Sequence, residues 1–198
     1  MPGMKLLIAT GNAHKLREIR QIFTMPGLEI LGMETFPDAP EVIEDGETFE
    51  ANAVKKAVTL ASATGLWALA DDSGLVVDVL DGAPGVYSAR YAGEPVDYAA
   101  NNSKLLAELA DKPDRTARFR CAIALASPDG DVRVVDGSCE GRIGESLKGC
   151  EGFGYDPLFI PDGYDQTFAE MPAEEKNAIS HRGRALARAQ SEWSDLLG

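Results

Sequence analysis

The sequence predicts an α/β chain built on a mixed sheet. Buried apolar runs of strand length alternate with stretches of helical periodicity, the pattern of helices laid against a sheet. One run instead folds straight back on itself through Ser127-Pro128-Asp129-Gly130, so at least one pair is an antiparallel hairpin. The 198 residues, 44% hydrophobic and 26% charged, correspond to one compact domain spanning 1–198, with no internal repeat, low-complexity tract or linker.

Leu6 to Ala9 reads as a buried first strand, followed by the loop Thr10-Gly11-Asn12 and a helix with apolar positions Leu16, Ile19, Ile22 and Phe23. A short strand around Leu28 to Leu31 leads into the acidic stretch Phe36 to Asp45. A long helix starts near Thr48, shows Phe49, Val54, Ala57, Val58 and Ala61 on its apolar face, and stops at Gly65. Leu66 to Ala70 is a further buried strand, ending in Asp71-Asp72-Ser73-Gly74, for which a solvated turn is the bland alternative, before apolar character resumes over Leu75 to Leu80. After a turn-rich segment, Leu105, Leu106 and Leu109 mark another helix. Phe119, Cys121, Ile123 and Leu125 alternate along the next strand, and the hairpin partner covers Val132 to Asp136. A glycine-punctuated stretch follows, then a strand over Leu158 to Ile160 and a final helix carrying Leu186, Ala189, Trp193 and Leu196.

The formal charge of −13 argues against a general nucleic-acid surface or a peripheral membrane anchor, since both draw on Lys and Arg. An anionic ligand must therefore meet local basic residues or a bound cation. No apolar run approaches the roughly 18 residues of a membrane span. The amino-terminal run Leu6-Leu7-Ile8-Ala9 is too short for the apolar part of a signal peptide. Cys121, Cys139 and Cys150 form neither a Cys-x-x-Cys pair nor a cluster with histidine, which disfavours zinc and disulfides and fits a reducing cytoplasm.

Several segments could carry chemistry. Thr10-Gly11-Asn12-Ala13-His14-Lys15 joins a strand to a helix start, where free backbone N–H groups attract anions; an ordinary turn with an Asn cap explains it equally well. Asp71 and Asp72 lie at the end of a buried strand and point opposite ways, so one can hold a metal or activate water while the other braces the loop. Glu41, Glu44, Asp45 and Glu47 precede the long helix, where acids also serve helix stability, and Lys55 and Lys56 follow on it. Phe153 stands between glycines in Gly152-Phe153-Gly154-Tyr155-Asp156-Pro157, as suits a ring on which a flat base stacks. Lys176, His181, Arg182, Arg184 and Arg188 make a local basic cluster in an otherwise acidic chain.

These segments closely resemble the inosine triphosphate pyrophosphatase family, in its bacterial branch. The resemblance rests on collinear motifs across essentially the whole chain: Ile8-Ala9-Thr10-Gly11-Asn12-x-x-Lys15, Thr48-Phe49-Glu50-x-Asn52-Ala53, Ala70-Asp71-Asp72-Ser73-Gly74-Leu75, Gly82 through Tyr91, Gly152 through Pro157, and Glu175-Lys176-Asn177-x-Ile179-Ser180-His181-Arg182-Gly183. It implies an elongated mixed β-sheet with flanking helices in two lobes around a central substrate cleft, and a homodimer. The implied activity is hydrolysis of deaminated purine triphosphates (ITP, dITP, XTP) to the monophosphate and pyrophosphate. By the same resemblance, Thr10, Gly11, Asn12, Ala13, His14 and Lys15 cradle phosphates with help from Lys56. Asp72 is proton acceptor and Mg2+ ligand, and Glu44 is the further metal ligand, with Glu41 and Asp45 as alternatives. Ser73 contacts substrate, Phe153, Gly154, Tyr155 and Asp156 form the base platform, and Lys176, His181 and Arg182 are further substrate contacts. A pyrophosphatase for modified pyrimidine triphosphates and a non-catalytic nucleotide-binding protein are the alternatives.

Overall fold

The computed structural model describes residues 3–197. Met1, Pro2 and Gly198, which belong to the amino-terminal and whole-chain readings above, lie outside the described residues. The strands are β1 (Met4–Ile8), β2 (Leu28–Leu31), β3 (Trp67–Val77), β4 (Thr116–Ala126), β5 (Val132–Ile143) and β6 (Phe159–Pro161). The helices are α1 (Ala13–Ile22), α2 (Phe49–Thr64), α3 (Tyr98–Glu108), α4 (Ala173–Ile179) and α5 (His181–Leu197). The strands form one six-stranded sheet in the order β2-β1-β3-β4-β5-β6. Both β2 and β3 run parallel to β1, whereas β6 runs antiparallel to β5, so the sheet is mixed as expected. No helix among the described residues is long and apolar enough to cross a membrane.

The described chain divides into two compact units. The first runs to Asp72 and takes in Cys121–Gly137 and the chain from Arg182 on; the second comprises Ser73–Arg120 and Ser138–His181. In the first unit, Leu6, Ile8 and Leu69 cluster with Ile19 of α1, Phe23 just after it, and Leu186, Ala189 and Trp193 of α5. Residues with this parity in β3 therefore face α1 and α5. The opposite parity, Ala68 and Ala70, is also fully buried. In the second unit, Phe119, Phe159 and Phe168 form the centre of the core, with ring centroids 4.7 to 5.9 Å apart.

Helix α2 shows how local sequence sets an element. The Thr48 side chain accepts the N–H of Ala51 at its start, and Gly65 ends it in the left-handed region at φ 70° with its N–H on the Ala61 carbonyl. Asn52, Ala53, Lys56, Ala57, Leu60 and Ala61 share its buried face, so two polar side chains are carried inward among small apolar ones.

Two expectations are corrected. The strand expected to end at Ala70 runs on through Asp71-Asp72-Ser73-Gly74, which form the interior of the eleven-residue strand β3. The buried Asp71 carboxylate has partners that offset its desolvation cost. Strand β5 likewise continues beyond Asp136, through Gly137 and Gly141, to Ile143. At Gly141 a Cβ would lie 2.3 Å from the Ile160 carbonyl oxygen, so the close pairing with β6 requires glycine there. Helix α4 was not anticipated, and α5 begins at His181, before its periodic apolar positions.

Gly65→Ala tests the cap of α2. Nothing lies within 4 Å of the added Cβ, so only the left-handed backbone is penalised. The expected cost is about 1 kcal/mol, read as a lower thermal midpoint.

Candidate active site

In the first unit, strand alternation sends the adjacent carboxylates of Asp71 and Asp72 into different surroundings. Asp71 is fully buried. The Arg182 guanidinium grips it with Nε 3.0 Å from Oδ2 and Nη2 3.4 Å from Oδ1, and Lys15 Nζ lies 2.5 Å from Oδ1. The Cys121 thiol donates to Oδ2 at 2.9 Å, and Arg182 Nη1 also pairs with Glu18 at 2.5 Å. Burial alone would push the Asp71 carboxyl up, but the Arg182 and Lys15 charges and the hydrogen bonds hold it well below the usual carboxylate range. Burial, and then the Asp71 charge, push the Cys121 thiol well above its ordinary value, which keeps it protonated and a poor nucleophile.

Asp72 points to α2. Asn52 Nδ2 donates to its Oδ2 at 3.0 Å, and Lys56 Nζ lies 3.9 Å from its Oδ1. Lys56 also donates to the Asp71 carbonyl and to Glu44, both at 2.7 Å. Burial pushes the Asp72 carboxyl up to about 6; Lys15 and Lys56 oppose the rise, the Glu44 charge adds to it, and the Asn52 hydrogen bond works against it. A base in this range suits catalysis near neutral pH.

The geometry separates neighbours that are alike in sequence. Lys55 pairs with Asp45 at 2.6 Å on the exposed side, while Lys56 turns inward to Glu44 and Asp72. Asn52, to which no role was assigned, proves to be part of this group. Its Oδ1 accepts the Gly46 N–H at 2.7 Å, and a Cβ at Gly46 would come within 2.6 Å of that oxygen. The available sequence signal was its position four residues before Lys56, on one helix face.

The loop before α1 contains the Asn cap of the ordinary-turn reading. Asn12 caps the helix, its Oδ1 accepting from His14 N–H at 2.9 Å and Lys15 N–H at 3.3 Å, and its own N–H donates to Thr10 Oγ1 at 3.1 Å. Gly11 is exposed, Ala13 opens the helix, and Lys15 lies inward on Asp71. Arg182 is 1% exposed and paired with Asp71 and Glu18, both carboxylates of its own unit. Glu18, its second partner, carried no sequence signal.

The second unit gathers Phe153, Asp156 and Lys176. Asp156 Oδ2 accepts the Phe153 N–H at 2.9 Å and the Lys176 ammonium at 2.6 Å, and that ammonium lies 5.4 Å from the Phe153 ring centroid. Gly152 and Gly154 hold positive φ on either side of the ring, and a Cβ at Gly152 would collide with Asp156. Tyr155 is buried, its hydroxyl donating to the Ser88 carbonyl at 2.7 Å, so it anchors the loop from beneath. His181 stacks on Phe119 with centroids 4.6 Å apart, and Ser73 opens this unit within β3. Among the described residues, no group of three or more His, Cys, Asp or Glu forms a ready-made metal cage.

Residues 6–192 match the model of the Ham1 family. The chain belongs to that family. It is 58% identical over 185 residues to the dITP/XTP pyrophosphatase of Geobacter sulfurreducens, covering 92% of this chain and 93% of that protein. To the protein of the same name from Desulforamulus reducens it is 56% identical over 188 residues, 94% of each chain. The Ham1 protein structure from Coxiella burnetii superposes with a TM-score of 0.89 at 39% identity, covering 97% of this chain and 99% of that one. The Staphylococcus aureus Ham1 structure gives 0.87 at 39% identity, covering 96% and 98%. These whole-length matches agree with the α/β fold and with the collinear motifs of the Ham1 chain.

The two carboxylates should separate in unfolding experiments. Asp71→Asn leaves Arg182 and Lys15 without their shared counter-charge and is expected to cost about 3–5 kcal/mol. Asp72→Asn removes a carboxylate whose ionisation is disfavoured in the folded state, so it leaves urea stability unchanged or raises it above about pH 4. Equal losses would contradict the two environments described.

Proposed function

We propose that this chain hydrolyses deaminated purine nucleoside triphosphates, ITP, dITP and XTP, to the monophosphate and pyrophosphate. The observation that carries the reading is Asp72, a buried carboxylate whose pKa is raised toward neutrality, beside Glu44 and Lys56. Support comes from Ham1-family membership and from relatives named dITP/XTP pyrophosphatase.

In this reading Asp72 accepts a proton from water as the water oxygen bonds to the α-phosphorus and the bridging oxygen leaves with pyrophosphate. Lys56, and the loop Thr10 to Lys15, offset phosphate charge; Asp71 and Arg182 hold Lys15 in place. Asp72 and Glu44 present hard carboxylate oxygens about one ammonium with no thiol or imidazole among its partners, a donor set that fits Mg2+, an ion that needs only one or two carboxylates besides substrate phosphates. When bound there, Mg2+ supplies charge neutralisation and polarisation of the phosphate and water. Phe153 offers the stacking surface for the base, while Lys176 and Asp156 shape the loop that carries it. A cytoplasmic homodimer completes the reading, and light scattering of the purified protein measures the dimer directly.

Asp72→Asn is expected to lower kcat by about two to four orders of magnitude without loss of fold. Exhaustive chelation is expected to abolish hydrolysis and Mg2+ to restore it. Wild-type turnover in the variant, or full activity in chelator, would overturn these assignments.

Substrate choice is decided by kcat/KM for ITP, XTP, dITP, ATP and GTP under one Mg2+ condition. Hypoxanthine and xanthine offer an acceptor at position six where adenine offers a donor, so a donor in the site separates them; a site that strands a buried polar group discriminates by up to about four orders of magnitude. Comparable values for GTP and ITP would sink the selectivity. Preference for pyrimidine triphosphates, or no pyrophosphate release at all, would favour the two alternatives respectively.

A further inference from the structure

The ring of Phe153 sits on a loop whose glycines give it no intrinsic rigidity, so something outside the loop must set the plane of the ring. Asp156 and Tyr155 fix the loop from its own side. Helix α3 contributes from elsewhere in the chain. Asn102 Nδ2 donates to the Gly154 carbonyl at 2.9 Å, and the Tyr98 ring lies 6.1 Å from the Phe153 ring at a 48° tilt. Tyr98 and Asn102 are four residues apart, on one face of α3.

The neighbouring asparagine shows what is unusual about Asn102. Asn101 is satisfied at both ends of its amide, accepting from Ala92 N–H at 2.7 Å and donating to the Ala89 carbonyl at 2.8 Å. Asn102 is 5% exposed, yet its Oδ1 is buried and has no hydrogen-bond partner among the described residues. A half-satisfied buried amide contributes little to folding, and an apolar side chain of the same size would pack there at no greater cost. What the amide does, and an apolar residue cannot, is hold the Gly154 carbonyl.

We propose that Asn102 is a positioning residue for base recognition, fixing through Gly154 the plane on which the purine stacks, with Tyr98 supporting the ring from the same helix face. The proposal rests on the reading of Phe153 as the base platform. Pre-organising that platform lowers the ordering cost of binding and leaves the chemical step at Asp72 untouched.

The test compares Asn102→Ala, Asn102→Leu and Phe153→Ala in steady-state hydrolysis of ITP, with inorganic tripolyphosphate as a base-free competitive inhibitor. Asn102→Leu keeps the size but cannot donate, and it decides the matter if the alanine variant fails to fold. Both Asn102 variants are expected to raise KM for ITP about five- to tenfold with kcat within about twofold, the loss of one neutral hydrogen bond. The inhibition constant of tripolyphosphate stays at the wild-type value. In a Phe153→Ala background the Asn102 change adds nothing further. Wild-type KM in the Asn102 variants, or a parallel change in kcat and in tripolyphosphate inhibition, overturns the proposal. If Phe153→Ala itself leaves KM unchanged, the platform reading fails and this inference falls with it; if Phe153→Ala raises KM while the Asn102 variants do not, only the inference fails.

Discussion

A carboxylate with no exposure to water must be paired, and the first unit is organised around that requirement at Asp71. Its charge is met by Arg182 from α5, Lys15 from α1 and the Cys121 thiol from β4, while Glu18 takes the remaining side of the guanidinium. One charge in the middle of a strand thus ties together elements far apart in sequence. Pairing of this kind adds little net stability over an apolar core, but removing one member leaves the others stranded, so it specifies one arrangement strongly. The loop over Lys15 inherits that rigidity.

The next residue in the strand lives under different rules. Because successive side chains alternate, Asp72 faces α2, where Asn52, Lys56 and Glu44 surround it. Its two lysine neighbours do not outweigh burial, and its carboxyl rises to about 6 while that of Asp71 falls. Adjacent, chemically identical groups are thereby held in opposite electrostatic surroundings, one favouring the charged carboxylate and one opposing it. The close approach of Gly46 to Asn52 belongs to the same arrangement, since it orients the amide that orients Asp72.

In the second unit the corresponding problem is to hold a loop rather than a charge. The Phe119, Phe159 and Phe168 cluster supplies a rigid base. From it the Asp156–Lys176 pair, itself buried, reaches the backbone of Phe153. Lys176 is therefore engaged in shaping the Phe153 loop, and its charge lies beside the aromatic ring.

The sequence by itself determined the α/β class, most element positions and the segments that matter. Periodicity of apolar residues, the Thr48 and Asn12 caps and the Gly65 stop are local signals, and local signals are written within a few residues of where they act. It also presented Asp71 and Asp72 as a pair with divided roles, because alternation along a strand is a local rule. Which lysine of Lys55 and Lys56 turns inward, which acid among Glu41, Glu44 and Asp45 meets it, and that Arg182 serves Asp71 were decided only in three dimensions. So were the continuity of β3 through Asp71-Asp72-Ser73-Gly74 and the parts played by Asn52, Glu18 and Asn102. The physical reason is that turn-prone or charged residues stay inside a strand or core only when partners satisfy them, and the partners that decide Asp71, among them Cys121 and Arg182, lie far away in sequence.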